Sequence, residues 1–225
     1  MGVALHGFGL IFIKYMPLFW KATLMTVEIS ALSIMFGFLI GLFSALGKMS
    51  HNKLISIPSK FYVWFFRATP LLVQIFLIYF GLPQFGIRLS PFVAGVIAMS
   101  INAGAYYAEI IRAGIQSVHH GQMEAARSLG MSYPLSMRRI ILPQAIKVIV
   151  PPFGNESIIL IKDTSLLSTI TILEVTLMAQ RLISSTWKPF ELYLIAAFYY
   201  AVITSVLNFF LHRYEKKLAI SQRRG

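Results

Sequence analysis

Five ionisable side chains interrupt the apolar stretches of this sequence, and they are the first places to look for chemistry. They are Glu28, Arg67, Glu109, Glu156 and Asp163. A charged side chain is costly inside an apolar segment, so it usually lines a cavity, pairs with another charge or meets a charged ligand. Each of the five is therefore a candidate for ligand contact or for an internal ion pair.

A polar helix face accompanies one of these charges. Asn102, Tyr106 and Glu109 are spaced i, i+4 and i+7, which places an amide, a phenol and a carboxylate on one side of a helix. Such a face is unstable against lipid, so we expect it to face protein or a wet cavity. Two alternatives stay open. Asn102 either bonds another helix or contacts a substrate, and Glu109 either pairs with Arg112 or lines a pathway.

Two proline-containing segments break the apolar stretches. Pro70 removes a backbone hydrogen bond close to Arg67, and carbonyls freed at membrane depth need a cavity or a protein side chain to satisfy them. For Arg67 the alternatives are a pathway role, a bound lipid phosphate or the capping of a neighbouring helix. The run from Pro151 to Glu156 is expected to interrupt its helix, as in transporters that place substrate sites at unwound segments. Glu156 is expected to be a strut between helices.

The segment 162–189 mixes apolar residues with serine and threonine, and it is predicted to form short helices packed on the outer face. Asp163 lies at its start. We expect this carboxylate either to accept a substrate ammonium or to pair with Lys162.

The composition indicates an all-α, polytopic membrane protein that must position these side chains. Of 225 residues, 57% are hydrophobic and 12% are charged, which is far from a soluble globular profile. The chain has no cysteine, and its five histidines lack ligand spacing, so no metal site is predicted. It also lacks a G-x4-G-K-[ST] phosphate-binding loop, so we predict no ATP chemistry and no enzymatic activity of its own.

Five apolar stretches are long enough to cross a bilayer, which takes roughly 20 residues each. Together they form a single predicted transmembrane domain over residues 1–225. The first stretch continues for a full span without a small-residue cleavage site, so we expect it to stay as a helix rather than act as a signal peptide. The predicted spans lie near 18–47, 58–81, 91–112, 141–161 and 191–212.

The basic residues indicate an orientation. If the C-terminus is cytoplasmic, fourteen lysines and arginines fall on the inner segments and six on the outer ones, so the positive-inside rule predicts an outer N-terminus. This layout explains the net charge of +12 without a nucleic-acid partner. The inner cations are Lys48, Lys53, Lys60, Arg67, Arg112, Arg127, Arg138, Arg139, Lys147, Arg213, Lys216, Lys217, Arg223 and Arg224.

Small residues recur every four positions in two of the predicted spans. Stripes of this kind let helices approach closely in lipid. We expect both to be ordinary packing surfaces, with a dimer contact as the alternative for one. The stripes are Gly37, Gly41 and Ala45 in the first span and Ser100, Gly104 and Ala108 in the third.

A spaced motif lies in segment 119–142, between the third and fourth spans. The segment is polar between two apolar flanks, which predicts two short helices on the wet side of the membrane. Gly130 is placed to end the first helix in a left-handed conformation, and Pro143 is tolerated in the first turn of the next. A basic amphipathic helix on lipid headgroups is the alternative. The motif reads Glu124-Ala125-Ala126, three residues to Gly130, then nine residues to Ile140-x-Leu142-Pro143.

The spacing EAA-x3-G-x9-I-x-L-P resembles the coupling motif of ABC-importer permeases, which docks into a cytoplasmic ATPase. The resemblance implies the type I, MetI-like permease fold. It also implies that Ala125 and Ala126 let the partner approach closely. The implied ATPase-coupling residues are Glu124, Ala125, Ala126, Arg127 and Gly130.

Two further segments, 67–74 and 162–166, resemble the polar amino-acid class of these permeases. The pathway residues are then expected to be Arg67, Glu109 and Glu156. Because carboxylates outnumber Arg67 at membrane depth, a cationic or neutral polar amino acid is favoured over an acidic one. The implied substrate-binding residues are Thr69, Gln74, Asn102, Tyr106, Asp163 and Ser165.

The resemblance also implies partners and a location. We expect a cytoplasmic ATPase dimer carrying ATP and Mg, a second permease subunit in a homodimer or heterodimer, and an extracytoplasmic amino-acid-binding protein. The expected location is the bacterial inner membrane. An ion-coupled secondary transporter with Glu109 or Asp163 as its proton site is the alternative, and a non-transporting scaffold or sensor subunit is a third hypothesis.

Overall fold

The computed structural model describes the backbone of residues 2–223 and the side chains of residues 12–217, and this part of the chain is helical without strands. Arg224, one of the predicted inner cations, lies outside the described residues. The helices are α1 (Gly2–Met49), α2 (Lys53–Ala68), α3 (Leu71–Phe76), α4 (Pro91–Gln116), α5 (His120–Ser128), α6 (Tyr133–Ser136), α7 (Leu142–Asp163), α8 (Val175–Thr186) and α9 (Pro189–Arg223). Shorter turns join them, namely π-helical turns at Leu77–Gly81 and Met137–Ile141 and 3₁₀ turns at Leu82–Phe85 and Thr164–Ile170.

Three helices of the described part are long and apolar enough to cross a membrane, against about five predicted. They lie within α1, α4 and α9. The predicted span 58–81 is not a straight helix, because the chain bends by 108° between α2 and the segment Leu71–Phe85; counted as one span, this pair makes a fourth. The remaining predicted span corresponds to α7, whose 22 residues are about 33 Å long. Its charged residues and prolines make it less apolar than the other three.

The two predicted small-residue stripes pack against each other within the chain, between α1 and α4. A Cβ atom on Gly41 would lie 2.7 Å from Tyr107 Cβ and 3.0 Å from the Gly104 carbonyl oxygen. A Cβ atom on Gly37 would lie 3.1 Å from Ala103 Cβ. The close approach needs glycine on both helices, so the packing interpretation is confirmed.

Two buried clusters hold α3, α8, α9 and the 3₁₀ turn at Thr164–Ile170 to this helix pair. The main one joins α1, α3 and α4 to the 3₁₀ turn at Thr164–Ile170, which contributes the fully buried Leu167 and Ile170. The second packs α8 and α9 onto Phe19 of α1. The short helices predicted for 162–189 are therefore present, as the 3₁₀ turn and α8.

Each π-helical turn ends directly before a Leu-Pro pair. The Leu82 N–H donates to the Leu77 carbonyl, and the Leu142 N–H donates to the Met137 carbonyl; Pro83 and Pro143 follow. A proline ring crowds the carbonyl four residues earlier, and a widened turn relieves that crowding. The two predicted short helices are present as α5 and α6, and α6 continues through the π turn into α7 as one helical run from residue 133 to 163.

The prediction that Pro151 and Pro152 interrupt their helix was also wrong. Helix α7 continues through both. Each proline costs one backbone hydrogen bond, but its fixed φ angle suits a helix, and packing on both sides supports the segment. The ring centres of Phe153 and Tyr107 are 4.3 Å apart, and Gly154 packs against Leu211.

Candidate functional site: a polar network at a helix break and a coupling loop

The break between α2 and α3 is held by one buried side chain, Gln74. Its exposed fraction is 3%. The Nε2 amide donates to the Phe66 carbonyl at 3.0 Å, to the Thr69 carbonyl at 3.1 Å and to Thr69 Oγ1 at 2.8 Å. The Thr69 hydroxyl donates in turn to the Phe65 carbonyl at 2.9 Å. Protein side chains therefore satisfy the carbonyls freed at the break.

Asn102 extends this network to α4. Its Nδ2 amide donates to Gln74 Oε1 at 3.0 Å and to the Phe66 carbonyl at 3.3 Å. Of the two alternatives for Asn102, the structure shows the hydrogen bond to another helix. A substrate contact by Thr69, Gln74 or Asn102 stays a prediction, and in this conformation it would compete with these internal bonds.

Glu109 lies in an ion-pair cluster at the end of α1 and α4. Its carboxylate pairs with Lys48 of α1 and accepts from Arg112 Nη2 at 2.6 Å and Nε at 3.0 Å. The predicted Arg112 pair is confirmed. Lys48 was missed, because it lies 61 positions earlier and only packing brings it to Glu109.

Arg67 lies beside this cluster, at the wall of an open cavity of about 450 Å³. Its guanidinium carbon is 5.3 Å from the Tyr106 ring centre, a cation–π distance. The predicted polar face of α4 thus meets α2 and the cavity. The lining residues are Arg67, Glu109, Ile110, Ala113, Gly114, Ser117, Val148 and Pro152.

Two carboxylates on α7 have no partner within the described residues. Glu156 and Asp163 are half-buried and lie two turns apart, about 10 Å along the axis. Neither forms an ion pair or a hydrogen bond in that part of the chain, so the strut role of Glu156 stays a prediction. The Asp163–Lys162 pair is also not formed. Ser165 is half-buried in the 3₁₀ turn that follows.

Sequence reasoning missed two tyrosine hydrogen bonds that join the helices around this region. Tyr107 OH lies 2.9 Å from Ser157 Oγ, which joins α4 to α7. Tyr62 OH donates to the Ile101 carbonyl at 2.6 Å, which joins α2 to α4. Both tyrosines stand in runs rich in apolar and aromatic residues, so nothing in the local pattern identified their partners.

Glu174 is a third missed residue, fully buried at the start of α8. Its carboxylate accepts from the Thr176 N–H at 2.8 Å, the Leu177 N–H at 2.7 Å and the Tyr200 hydroxyl at 2.5 Å. Burial raises the pKa of Glu174, while these hydrogen bonds oppose the rise. The residue caps α8 and ties it to α9.

Segment 119–142, named the coupling segment after the motif that it resembles, forms the predicted helix end at Gly130. Its φ angle is +81°, in the left-handed region. The Gly130 N–H donates to the Arg127 carbonyl at 3.0 Å and the Met131 N–H to the Ala126 carbonyl at 3.1 Å. These two bonds form a Schellman motif, which ends α5 sharply and turns the chain back.

The two alanines of the motif face different ways. Ala126 has an exposed fraction of 1%, whereas Glu124, Ala125 and Arg127 are exposed. The expectation that both alanines meet a partner therefore does not fit this packing, because Ala126 brings α5 close to its own chain. Leu129, 83% exposed, is an apolar surface residue of this segment that the sequence interpretation did not include.

Comparison with known proteins decides the family. Residues 37–220 match the model of the binding-protein-dependent transport system inner membrane component. The chain belongs to this family. The match contains the broken helix, the α7 carboxylates and the whole of segment 119–142. The first part of α1 and residues 221–225 lie outside it.

Several curated relatives align along most of this permease. The nopaline transport system permease protein NocM of Agrobacterium fabrum is 43% identical over 206 residues, which cover 87% of this chain and 86% of the relative. The probable glutamine ABC transporter permease protein GlnM of Bacillus subtilis is 42% identical, covering 86% and 89%. The L-cystine transport system permease protein TcyB of the same organism is 40% identical, covering 91% and 88%.

Solved structures support the same architecture. A chain of an amino acid ABC transporter solved with histidines superposes with a TM-score of 0.88 at 47% identity, covering 92% of the permease and 97% of that chain. The inward-facing MetNI methionine ABC transporter superposes with a TM-score of 0.76 at 17% identity, covering 91% and 98%. The second likeness shows the fold alone.

Proposed function

We propose that this permease is the membrane subunit of an ATP-driven importer for polar amino acids. The relatives above are named for nopaline, glutamine and cystine transport, and the structure with the higher TM-score belongs to an amino acid ABC transporter. The proposed assembly holds two permease subunits, a cytoplasmic ATPase dimer that carries ATP and Mg²⁺, and an extracytoplasmic binding protein. The permease lies in the inner membrane with its N-terminus outside.

The two carboxylates on α7 are the basis for the proposed charge of the substrate. Neither Glu156 nor Asp163 forms an ion pair within the described residues. Arg67 acts on Glu156 through space, and the neighbouring Lys162 acts in the same way on Asp163. Asp163 binds the substrate ammonium, helped by Ser165, and Arg67 offsets charge near Glu156. Two carboxylates against one arginine favour a cationic or neutral polar amino acid over an acidic one.

The continuous helical run from residue 133 to 163 supports a mechanism of coupling. The ATPase contacts the exposed Glu124, Ala125, Arg127 and Leu129 on α5. Because α5 packs against the start of that run, a displacement of α5 moves α7 and its carboxylates as a rigid body. ATP-driven closure of the ATPases then switches the permease from inward-open to outward-open, and the substrate enters from outside.

One experiment tests substrate and partner together. The intact complex is purified into proteoliposomes, and ATP hydrolysis and uptake are measured across a panel of cationic, neutral and acidic amino acids. We expect stimulation by a cationic or neutral polar amino acid, and a loss of about tenfold or more in uptake for Asp163→Asn but not for Lys162→Gln. Uptake driven by an imposed proton gradient without ATP would overturn the proposal.

A further inference from the structure

A row of basic side chains runs along α2. Lys53, Lys60 and Arg67 follow one another at intervals of seven residues, and all three are exposed. Seven residues are close to two helical turns, so the three side chains lie on one side of the helix.

Exposed apolar side chains lie beside this row. Leu54, Ile57, Phe61 and Trp64 have exposed fractions of 85%, 60%, 60% and 64%. A basic row next to an aromatic and aliphatic row is the pattern of a helix that meets headgroups with one side and acyl chains with the other.

The charges near Arg67 do not balance. Arg67 lines the same cavity as Glu109, the carboxylate that pairs with both Lys48 and Arg112. Glu109 is the one carboxylate paired with this group in the described residues, and it is shared between Lys48 and Arg112. Lys60 and Arg67 have no ion-pair partner there. Arg67 contacts the Tyr106 ring, which does not neutralise its charge, so this end of α2 carries uncompensated positive charge next to an apolar surface.

We propose that an anionic phospholipid of the inner leaflet binds here, with its phosphate on Lys60 and Arg67 and its acyl chains on Phe61 and Trp64. The basic row and the apolar row together favour an anionic lipid over other ligands. A soluble anion would satisfy the charges but leave the aromatic row bare, and a neutral lipid would do the reverse. Basic surfaces on the cytoplasmic side of membrane helices bind acidic headgroups in this way. The proposal rests on the orientation proposed above, in which α2 begins at the cytoplasmic surface.

Native mass spectrometry of the complex tests the site. The complex is extracted from vesicles of equal phosphatidylglycerol and phosphatidylcholine, and the lipids retained are counted. We expect phosphatidylglycerol to be retained preferentially, and each charge removed in Lys60→Gln and Arg67→Gln to lower that retention about fivefold. The charge-preserving pair Lys60→Arg and Arg67→Lys should keep it.

A matched control uses two exposed cations at the other end of α1, where α8 packs. The double variant Arg181→Gln and Lys188→Gln removes the same charge and should retain phosphatidylglycerol like the parent. Equal retention by the Lys60→Gln, Arg67→Gln variant would overturn the site, as would inorganic phosphate that displaces the lipid completely. Lipid retention needs no transport, so a complex that keeps this lipid but imports no amino acid would refute the proposed function alone.

Discussion

The Nδ2 amide of Asn102 lies 3.0 Å from Oε1 of Gln74, and this hydrogen bond joins the middle of α4 to the first helical turn after the break. Gln74 in turn holds carbonyls on the other side of the break. A 108° bend inside an apolar chain is stable here because these two amides replace the missing backbone bonds.

Replacing Gln74 should therefore destabilise the permease. Gln74→Leu takes the Gln74 donor from the Thr69 carbonyl and removes one of the two hydrogen-bond partners of the Phe66 carbonyl and of the Asn102 amide. We expect a loss of about 1–3 kcal/mol in the free energy of unfolding. Thermal unfolding of the purified complex measures it. The exposed Gln84 provides the control, since Gln84→Leu breaks no hydrogen bond of the described structure; equal effects of the two changes would contradict the role of Gln74.

The glycine contact between α1 and α4 makes a second prediction. Gly41→Ala places a Cβ atom 2.7 Å from Tyr107 Cβ, so the helices must separate, at a cost of about 1–3 kcal/mol. Gly81→Ala is the matched control, because a Cβ there meets nothing within 4 Å. Unfolding measurements should show a lower free energy of unfolding for Gly41→Ala and no change for Gly81→Ala. A Gly41→Ala protein as stable as the parent would argue against the close packing.

The Glu109 cluster should show coupling between α1 and α4. Glu109→Gln leaves Lys48 and Arg112 without their counter-charge, and we expect about 1–3 kcal/mol of destabilisation, less than for a fully buried pair since the Lys48 and Glu109 side chains keep 14% and 18% exposure. The double variant Glu109→Gln, Lys48→Met should lose less stability than the sum of the losses of the two single variants. As a control, the effect of Lys53→Met, which changes an exposed lysine, should add to that of Glu109→Gln without any coupling. Strict additivity for Lys48 would mean that the pair contributes nothing.

The lack of cysteine in the chain allows a clean labelling test of the coupling segment. Ala125→Cys should react with a maleimide at least about tenfold faster than Ala126→Cys, because thiol reactivity needs exposure and Ala126 is buried. Mass spectrometry of the labelled chain gives both rates. Similar rates would show that α5 does not pack as described.

The same variant tests sidedness. A membrane-impermeant maleimide added to intact cells should leave Ala125→Cys unlabelled until the membrane is permeabilised, whereas Lys188→Cys should label from outside. Labelling of Ala125→Cys in intact cells would reverse the proposed orientation and remove the basis for an ATPase contact at α5.

Glu174 makes a further prediction about stability. Glu174→Ala removes the cap of α8 and leaves the Tyr200 hydroxyl without its acceptor, so we expect a loss of about 1–3 kcal/mol. Glu174→Gln keeps one acceptor oxygen and should lose less. If both variants have the same free energy of unfolding as the parent, the Glu174 cap does not stabilise α8.

The sequence alone determined the features that depend on neighbours along the chain. Gly130 ends α5 because only glycine adopts a φ of +81° at little cost, and the four-residue spacing of Gly37 and Gly41 makes one smooth helix face in any environment. The spacing of the coupling motif and the positive-inside layout are likewise properties of the linear sequence. They sufficed to predict the family to which the chain belongs.

The tertiary structure decided which polar groups are already occupied. Thr69, Gln74 and Asn102 were each singled out from the sequence, but that they bond to one another depends on where a 108° bend brings α3 against α4. Lys48 reaches Glu109, and Ala126 faces inward, for the same reason. Sterics and periodicity act over a few residues, whereas the partner of a side chain is set by packing between segments far apart in the sequence, and that packing cannot be read from local spacing.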